Sequence, residues 1–321
     1  MLIWVKYEQK EGELMCTVIS KNANGLILGR NMDIECSFGE KFVFTPRNYP
    51  IKYKCVDEDT RHFAIFGTAA VIDDYPLYAE AANEHGLCVA ALNFVGNAHY
   101  RSPNNECINL APYELILKVL SICKTVREST ALLEKVNLVS TPFKNDLPLS
   151  QLHFYIADKS ESIVFESTKS GNNVYSNPVG ILTNNPEFPY HIHNLSNFNY
   201  LKNQTLSPTF DRIKPYSLGL GAYGLPGDFS SSSRFARASY LSHFSSWENK
   251  IPQMLHILNN VSVPKGAVVA DNKEHYTLYS AVIDADAQIY YYRTYDFLDT
   301  KIIHVSKFDK TNNRLAIVDI M

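Results

Sequence analysis

Strand-like and helix-like runs alternate in blocks along the chain. Cys16 to Ser20 and Leu26 to Gly29 are strand-like segments that flank Asn24-Gly25, the strongest short hairpin signal in the sequence. Phe63 to Ile72 and Gly86 to Leu92 are further apolar, β-compatible runs. Two helices follow. The first runs from about Pro112 to Cys123 with Leu115, Ile116, Val119 and Leu120 on one face. The second starts at Thr125, with Glu128 three residues on as a capping box, and continues through Leu132, Leu133 and Val136. Strands return at Leu152 to Ala157, Ser162 to Ser167 and Gly180 to Thr183. Phe235, Ala238, Leu241 and Phe244 predict an amphipathic helix after Ser230 to Ser233, and Met254 to Leu258 continues helical. Tyr276 to Asp284 and Gln288 to Tyr295 close the chain as a hairpin. Blocks of this kind predict an α+β layered protein rather than alternating βαβ units. No linker, repeat or low-complexity tract divides the chain, so one domain is expected.

Composition narrows the function classes. The 321 residues carry 30 Lys+Arg against 33 Asp+Glu, a net charge of −3, which gives no general attraction for nucleic acid or an anionic membrane. At 45% hydrophobic and 20% charged residues, the chain has the balance of a folded protein. No apolar run approaches the roughly 18 residues of a membrane span. Leu2 to Val5 is too short for a signal-peptide core, so a cytoplasmic location is the default. Six cysteines without a CxxC pair predict free, mostly buried thiols and no zinc or disulfide framework.

Several motifs fail on context. Gly219, Gly221 and Gly224 spell GxGxxG, but no βαβ unit surrounds them and Pro226 follows. His191 and His193 lack an HExxH or a carboxylate cluster, which favours surface or pocket histidines over metal ligands. No GxSxG elbow occurs. Asp73-Asp74 is most simply a solvated turn before Pro76. No metal or cofactor is expected.

What remains is Met15-Cys16-Thr17, Gly29-Arg30-Asn31-Met32-Asp33 and Pro46-Arg47-Asn48-Tyr49. Asp73-Asp74-Tyr75-Pro76, Asn83-Glu84-His85-Gly86-Leu87 and Ala91-Leu92-Asn93-Phe94 follow in order. Then come Leu182-Thr183-Asn184-Asn185-Pro186 and Gly224-Leu225-Pro226-Gly227-Asp228-Phe229 through Ser233-Arg234-Phe235. Together these segments resemble the choloylglycine hydrolase family of N-terminal-nucleophile hydrolases, which includes bile salt hydrolases and penicillin V acylases. The resemblance covers nearly the whole chain from Met15. It implies a four-layer αββα sandwich that hydrolyses a linear amide, the substrate class being glycine- or taurine-conjugated bile salts. Penicillin V or another N-acyl amide, acyl-homoserine lactones included, is the enzymatic alternative. A catalytically silent binding protein is the alternative from another class, should the leader stay attached. A homotetramer is the family's expected assembly.

The implied chemistry is self-contained. A thiol at a chain start sits beside its own α-amine, whose reference pKa of roughly 7.7–8.0 makes neutral base available near pH 7. That amine takes the thiol proton and later protonates the leaving amine, so no histidine is needed. Cys16 is the expected nucleophile; Arg30 is expected to lower its pKa, and Asp33 to hold the α-amine. By analogy with the family, the Asn93 backbone N–H and the Asn184 side-chain amide form the oxyanion hole, and Arg234 completes the polar site. Met32, Ile72, Phe143 and Leu147 match family pocket positions for the steroid.

Hairpin geometry tests part of this. A two-residue Asn24-Gly25 turn sets Cys16 directly opposite Asp33 and pairs Arg30 with Ile19 on the other face. That register supports the aspartate and requires a bulge or longer turn to re-aim the arginine. Cys16 also stands inside the sequence. Residues 1–14 are therefore read as a leader outside the mature protein, and 16–321 as the catalytic domain. Lys10-Glu11-Gly12 is encodable as a ribosome-binding sequence just before the Met15 codon, which favours a start at Met15, followed by its removal, over a propeptide.

Overall fold

The computed structural model of the chain describes residues 15–145, 147–205 and 216–320; the expected leader lies outside the described residues. The elements in order are β1 (Met15–Asn22), β2 (Leu26–Ile34), β3 (Lys41–Thr45), β4 (Ile65–Ile72), β5 (Tyr75–Asn83), β6 (Cys88–Asn93) and β7 (Ile108–Leu110). Helices α1 (Leu115–Ile122) and α2 (Val126–Leu133) precede β8 (Val136–Leu138), β9 (Leu152–Ala157), β10 (Ser162–Thr168), β11 (Gly171–Ser176) and β12 (Ile181–Leu182). Next are α3 (Phe188–Leu195), α4 (Ser231–Phe244) and α5 (Lys250–Asn260). Strands β13 (Val268–Ala270), β14 (Lys273–Asp284), β15 (Ile289–Thr294), β16 (Lys301–His304) and β17 (Ala316–Asp319) end the chain.

Two antiparallel sheets carry the architecture. The first has the order β12-β1-β2-β14-β15-β16 with β13 beside β14; the second has the order β11-β10-β9-β6-β5-β4-β3-β17. Helices α4 and α5 cover the outer face of the first sheet, on β1, β12, β2 and β14. Helices α1 and α2 cover the second, on β4 to β6 and on β9 and β10. The expected αββα sandwich is the observed fold. Its inter-sheet core includes Leu28, Phe42, Phe44, Phe66, Leu92 and Tyr290, all essentially inaccessible.

The first hairpin differs from expectation in one residue, with large effect. Asn22 pairs with Leu26, so the loop is Ala23-Asn24-Gly25, with φ of 51° at Asn24 and 109° at Gly25. Cys16 therefore lies opposite Met32, Met15 opposite Asp33 and Val18 opposite Arg30. A one-residue slip exchanges the two faces of a strand. Arg30 now shares the face of Cys16, and Asp33 is turned away. Both faces of β2 are buried along its whole length, so no polar side marks the register in the sequence.

Smaller corrections follow. The second helix ends at Leu133, and Val136 begins the three-residue β8, which pairs in parallel with β7. Asp73 and Asp74 adopt φ of 51° and 61° and form the two-residue turn between Ile72 and Tyr75. Of the six thiols only Cys16, Cys88 and Cys123 are buried, while Cys55 is exposed. Among the described residues no helix is long and apolar enough to cross a membrane, and no group of His, Cys, Asp or Glu has the geometry to hold a metal.

Candidate active site

The even-numbered side chains of β1 and β2 face the second sheet. There the Cys16 thiol meets Arg30, whose Nη2 donates to Cys16 Sγ at 3.3 Å; Met32 Sδ lies 3.7 Å from the same sulfur. The other edges of the guanidinium are engaged as well. Nη1 donates to Ala91 O at 2.6 Å and to Ala79 O at 3.2 Å, and Nε is ion-paired with Glu80 Oε2 at 3.3 Å. Arg30 is thus a buried cation held by the second sheet.

Asp33 sits on the opposite face, under the helices. Its Oδ1 accepts from Thr277 Oγ1 at 2.5 Å on β14, and its Oδ2 lies 3.9 Å from Arg234 Nη1 without a hydrogen-bond partner. Arg234 reaches this point from the first turn of α4, where Ser230 caps the helix by accepting from Ser233 N. Arg234 is fully buried. Its Nη1 donates to Cys16 O at 2.5 Å and Thr17 Oγ1 at 2.7 Å, and its Nη2 to Asn184 Oδ1 at 2.9 Å.

Asn184 joins the two faces. Strand β12 pairs with β1 as Val18 with Leu182, and extending that register by two residues sets Asn184 beside Cys16. Asn184 Oδ1 accepts from Cys16 N at 2.7 Å, and its Nδ2 donates to Asn93 O at 2.9 Å. Five of the six expected polar residues therefore meet directly around Cys16 and Asn184; Asp33 joins through Arg234.

Support for Asn184 comes from residues to which the sequence assigned no part in the site. His191 is buried, not exposed; burial lowers its pKa to about 4, so the ring is neutral and its Nε2–H donates to Asn184 O at 2.9 Å. His153 bridges Glu166 Oε1 and Thr183 O at 3.0 Å each, and Glu166 accepts from Phe188 N. Lone polar residues inside apolar strands carry no spacing signal, and only contact reveals them.

Burial sets the electrostatics. It raises the Cys16 thiol pKa, and Arg30, which acts in the lowering direction, offsets this only in part. Burial also raises Asp33 to about 6 against the pull of Arg234, and Glu80 to about 7 against that of Arg30.

A mainly apolar cavity of about 250 Å³ opens from the thiol. Cys16, Arg30 and Asn93 lie at its polar end, and Met32, Phe143 and Leu147 are in its wall. Ile72 is not. It shares a strand face with the lining residue Ala70 but lies a two-residue step further on, at the Asp73-Asp74 turn and past the rim. At that rim Tyr75, Tyr113 and Phe143 form a triangle of rings with centroids 5.3–5.9 Å apart, and Lys144 is ion-paired with Asp73 at 2.7 Å.

Comparison with known proteins agrees with this geometry. The description "Linear amide C-N hydrolases, choloylglycine hydrolase family" matches residues 16–317, nearly all of the chain and beginning at the candidate nucleophile. The chain belongs to the choloylglycine hydrolase family. A bile salt hydrolase/transferase of Lactiplantibacillus plantarum is 44% identical over 290 residues, covering 88% of this chain and 90% of the relative. The solved structure of a cysteine-to-alanine variant of a conjugated bile acid hydrolase from Clostridium perfringens superposes with a TM-score of 0.89 at 32% identity. It covers 94% of this chain and 96% of that one. The penicillin V acylase of Agrobacterium tumefaciens shares the fold at a TM-score of 0.75 and 20% identity, over 95% and 91% of the two chains.

Proposed function

We propose that this family member hydrolyses the amide of glycine- or taurine-conjugated bile salts, with Cys16 as an N-terminal nucleophile. One observation carries the reading: the Cys16 backbone nitrogen and thiol are both held in place, by Asn184 Oδ1 and Arg30 Nη2, at the polar end of an apolar cavity. Removal of the residues ahead of Cys16 leaves a free α-amine at that nitrogen. The family match that opens at residue 16 supports this, as does Asp33 Oδ2, which accepts no hydrogen bond and is available to hold an ammonium.

In this mechanism the neutral amine takes the thiol proton as sulfur attacks the scissile carbonyl carbon. The raised thiol pKa is then no obstacle, because the proton moves to a base on the same residue as the bond forms. The tetrahedral oxyanion is bound by the Asn93 N–H and by the second hydrogen of Asn184 Nδ2, whose first is spent on Asn93 O. The ammonium returns its proton to the departing glycine or taurine, leaving an acyl thioester. Water, deprotonated by the same amine, releases the bile acid. Arg234 holds the Cys16 carbonyl, and the wall of Met32, Phe143 and Leu147 takes the steroid. The reading includes a homotetramer, as the family resemblance implies, and a cytoplasmic location.

The test is side-by-side kinetics with glycocholate, taurocholate and penicillin V. Higher kcat/KM on the bile salts is expected, because Asn93 leaves room and a hydrogen-bonding group beside the scissile amide. Equal or better turnover of penicillin V overturns the substrate and leaves the nucleophile standing.

A further inference from the structure

Behind Arg30 lies a buried carboxylate that the proposed reaction does not use. Glu80, on β5, is inaccessible to solvent. Its Oε2 faces Arg30 Nε at 3.3 Å and accepts from the Tyr279 hydroxyl at 2.9 Å. Its Oε1 accepts a short hydrogen bond from Thr68, whose hydroxyl also lies 2.5 Å from that of Tyr290. The carboxylate is thereby fixed by both sheets: Thr68 and Glu80 belong to the second, Arg30, Tyr279 and Tyr290 to the first. Arg30 consequently faces a group on every edge: two carbonyls accept at Nη1 and the Cys16 and Met32 sulfurs at Nη2, while Nε makes no hydrogen bond and meets the Glu80 carboxylate only as an ion pair.

Resting on the reading of Cys16 as nucleophile, we propose that Glu80 is a positioning residue for the reaction. It holds the Nε edge of Arg30 so that Nη2 is turned to the thiol, and its charge moderates the pull of that arginine on the sulfur. A buried anion is costly unless it is matched, and here a single arginine is shared between Glu80 and the developing thiolate. Facing Glu80 are Arg30, Tyr279 and Tyr290, with Glu40 further away; facing Cys16 are Arg30, Asp33 and Arg234. The pKa of Glu80 near 7 places its loss of charge within the working range of such an enzyme.

The test reads the thiol directly. Enzyme beginning at Cys16 is treated with iodoacetamide across pH 5–10, and alkylation is followed by mass on the peptide that carries Cys16. Glu80→Gln removes the charge and keeps an acceptor for Thr68 and Tyr279, so the Cys16 profile should move to lower pH by about half a unit or more. Glu80→Asp should return it toward the parent. Glu80→Leu, which removes the acceptor, should lower kcat at least about tenfold with KM within about threefold. Should any of these not fold, Tyr279→Phe weakens the ionised carboxylate by one donor and should shift the profile in the same direction by less. A Glu80→Gln profile that stays with the parent or moves to higher pH overturns the proposal, as does a parental Tyr279→Phe profile where Glu80→Gln cannot be made. Cys16→Ala run in parallel separates the two claims. If it still turns over substrate, the underlying reading falls; if it is silent while the Glu80→Gln profile is parental, only the role of Glu80 falls.

Discussion

Asp33→Asn should have opposite consequences before and after the residues ahead of Cys16 are removed. In the 321-residue chain the Asp33 carboxylate is buried, with one oxygen on Thr277 and the other without a hydrogen bond, 3.9 Å from Arg234. Burial lifts its pKa from 3.8 to about 6. Because the folded value exceeds the unfolded one, the folded chain binds more protons between them. Stability therefore falls as pH rises from about 4, and the loss is complete above about 6. A shift of about two units amounts to about 3 kcal/mol. The asparagine keeps an acceptor for Thr277 and carries no charge. At pH 8 the full-length variant should be more stable than its parent by up to about 3 kcal/mol, and at pH 4 by less than about 1 kcal/mol. In a chain beginning at Cys16 the sign reverses, because the carboxylate then faces an α-ammonium, and losing it should cost kcat about 100-fold. Urea unfolding of mass-verified full-length protein at the two pH values measures the first part, and steady-state hydrolysis measures the second. An equal stability gap at pH 4 and pH 8, or parental kcat in the processed variant, refutes the argument.

Cys16→Ala should abolish turnover with the unfolding midpoint within a few degrees of the parent, and Cys16→Ser should fall far because an alcohol ionises much less readily than a thiol; turnover by homogeneous Cys16→Ala enzyme contradicts the mechanism. Intact-mass measurement of active native protein should find a chain that starts at Cys16, and a fully active chain retaining Met1 disproves the α-amine requirement. Gly67→Ala places a Cβ 2.1 Å from Glu80 O and 2.6 Å from Ala81 Cα, so β4 and β5 must separate. A loss of about 1–3 kcal/mol should appear in thermal unfolding, and an unchanged midpoint refutes that strand spacing.

Much of the layering was legible because most strands and helices here are long enough to show their period. What escaped had physical reasons. Three-residue β7, β8 and β13 are too short for any period, and the edge strands β11 and β17 are only half covered. The register of the first hairpin was misread because Asn24-Gly25 signals a two-residue turn, and a strand buried on both faces offers no alternation to correct it. Arg234 was expected in a helical first turn, where an arginine is ordinarily exposed; its complete burial follows from the meeting of Asn184, Cys16 O and Thr17 at that spot. Ile72 was expected in the pocket only from the family resemblance; it shares a strand face with the lining residue Ala70, but the end of the cavity depends on where the hairpin turns.

The cavity rim has a consequence for how selectivity can change. Cys16, Arg30 and Asp33 belong to paired strands and Arg234 to a capped helix, whereas Pro112, Tyr113, Phe143 and Leu147 come from connections outside the two large sheets. Connections tolerate variation that packed strands do not. The triangle of Tyr75, Tyr113 and Phe143 and the ion pair of Lys144 with Asp73 nevertheless bind these two connections and the β4–β5 turn into one wall. Altering one ring withdraws support from the other two, so new acyl groups should be reached by exchanging the wall as a unit. Transplanting the 112–113, 142–148 and 73–75 segments together is the engineering route this arrangement favours, and it leaves the chemistry on β1 and β2 untouched.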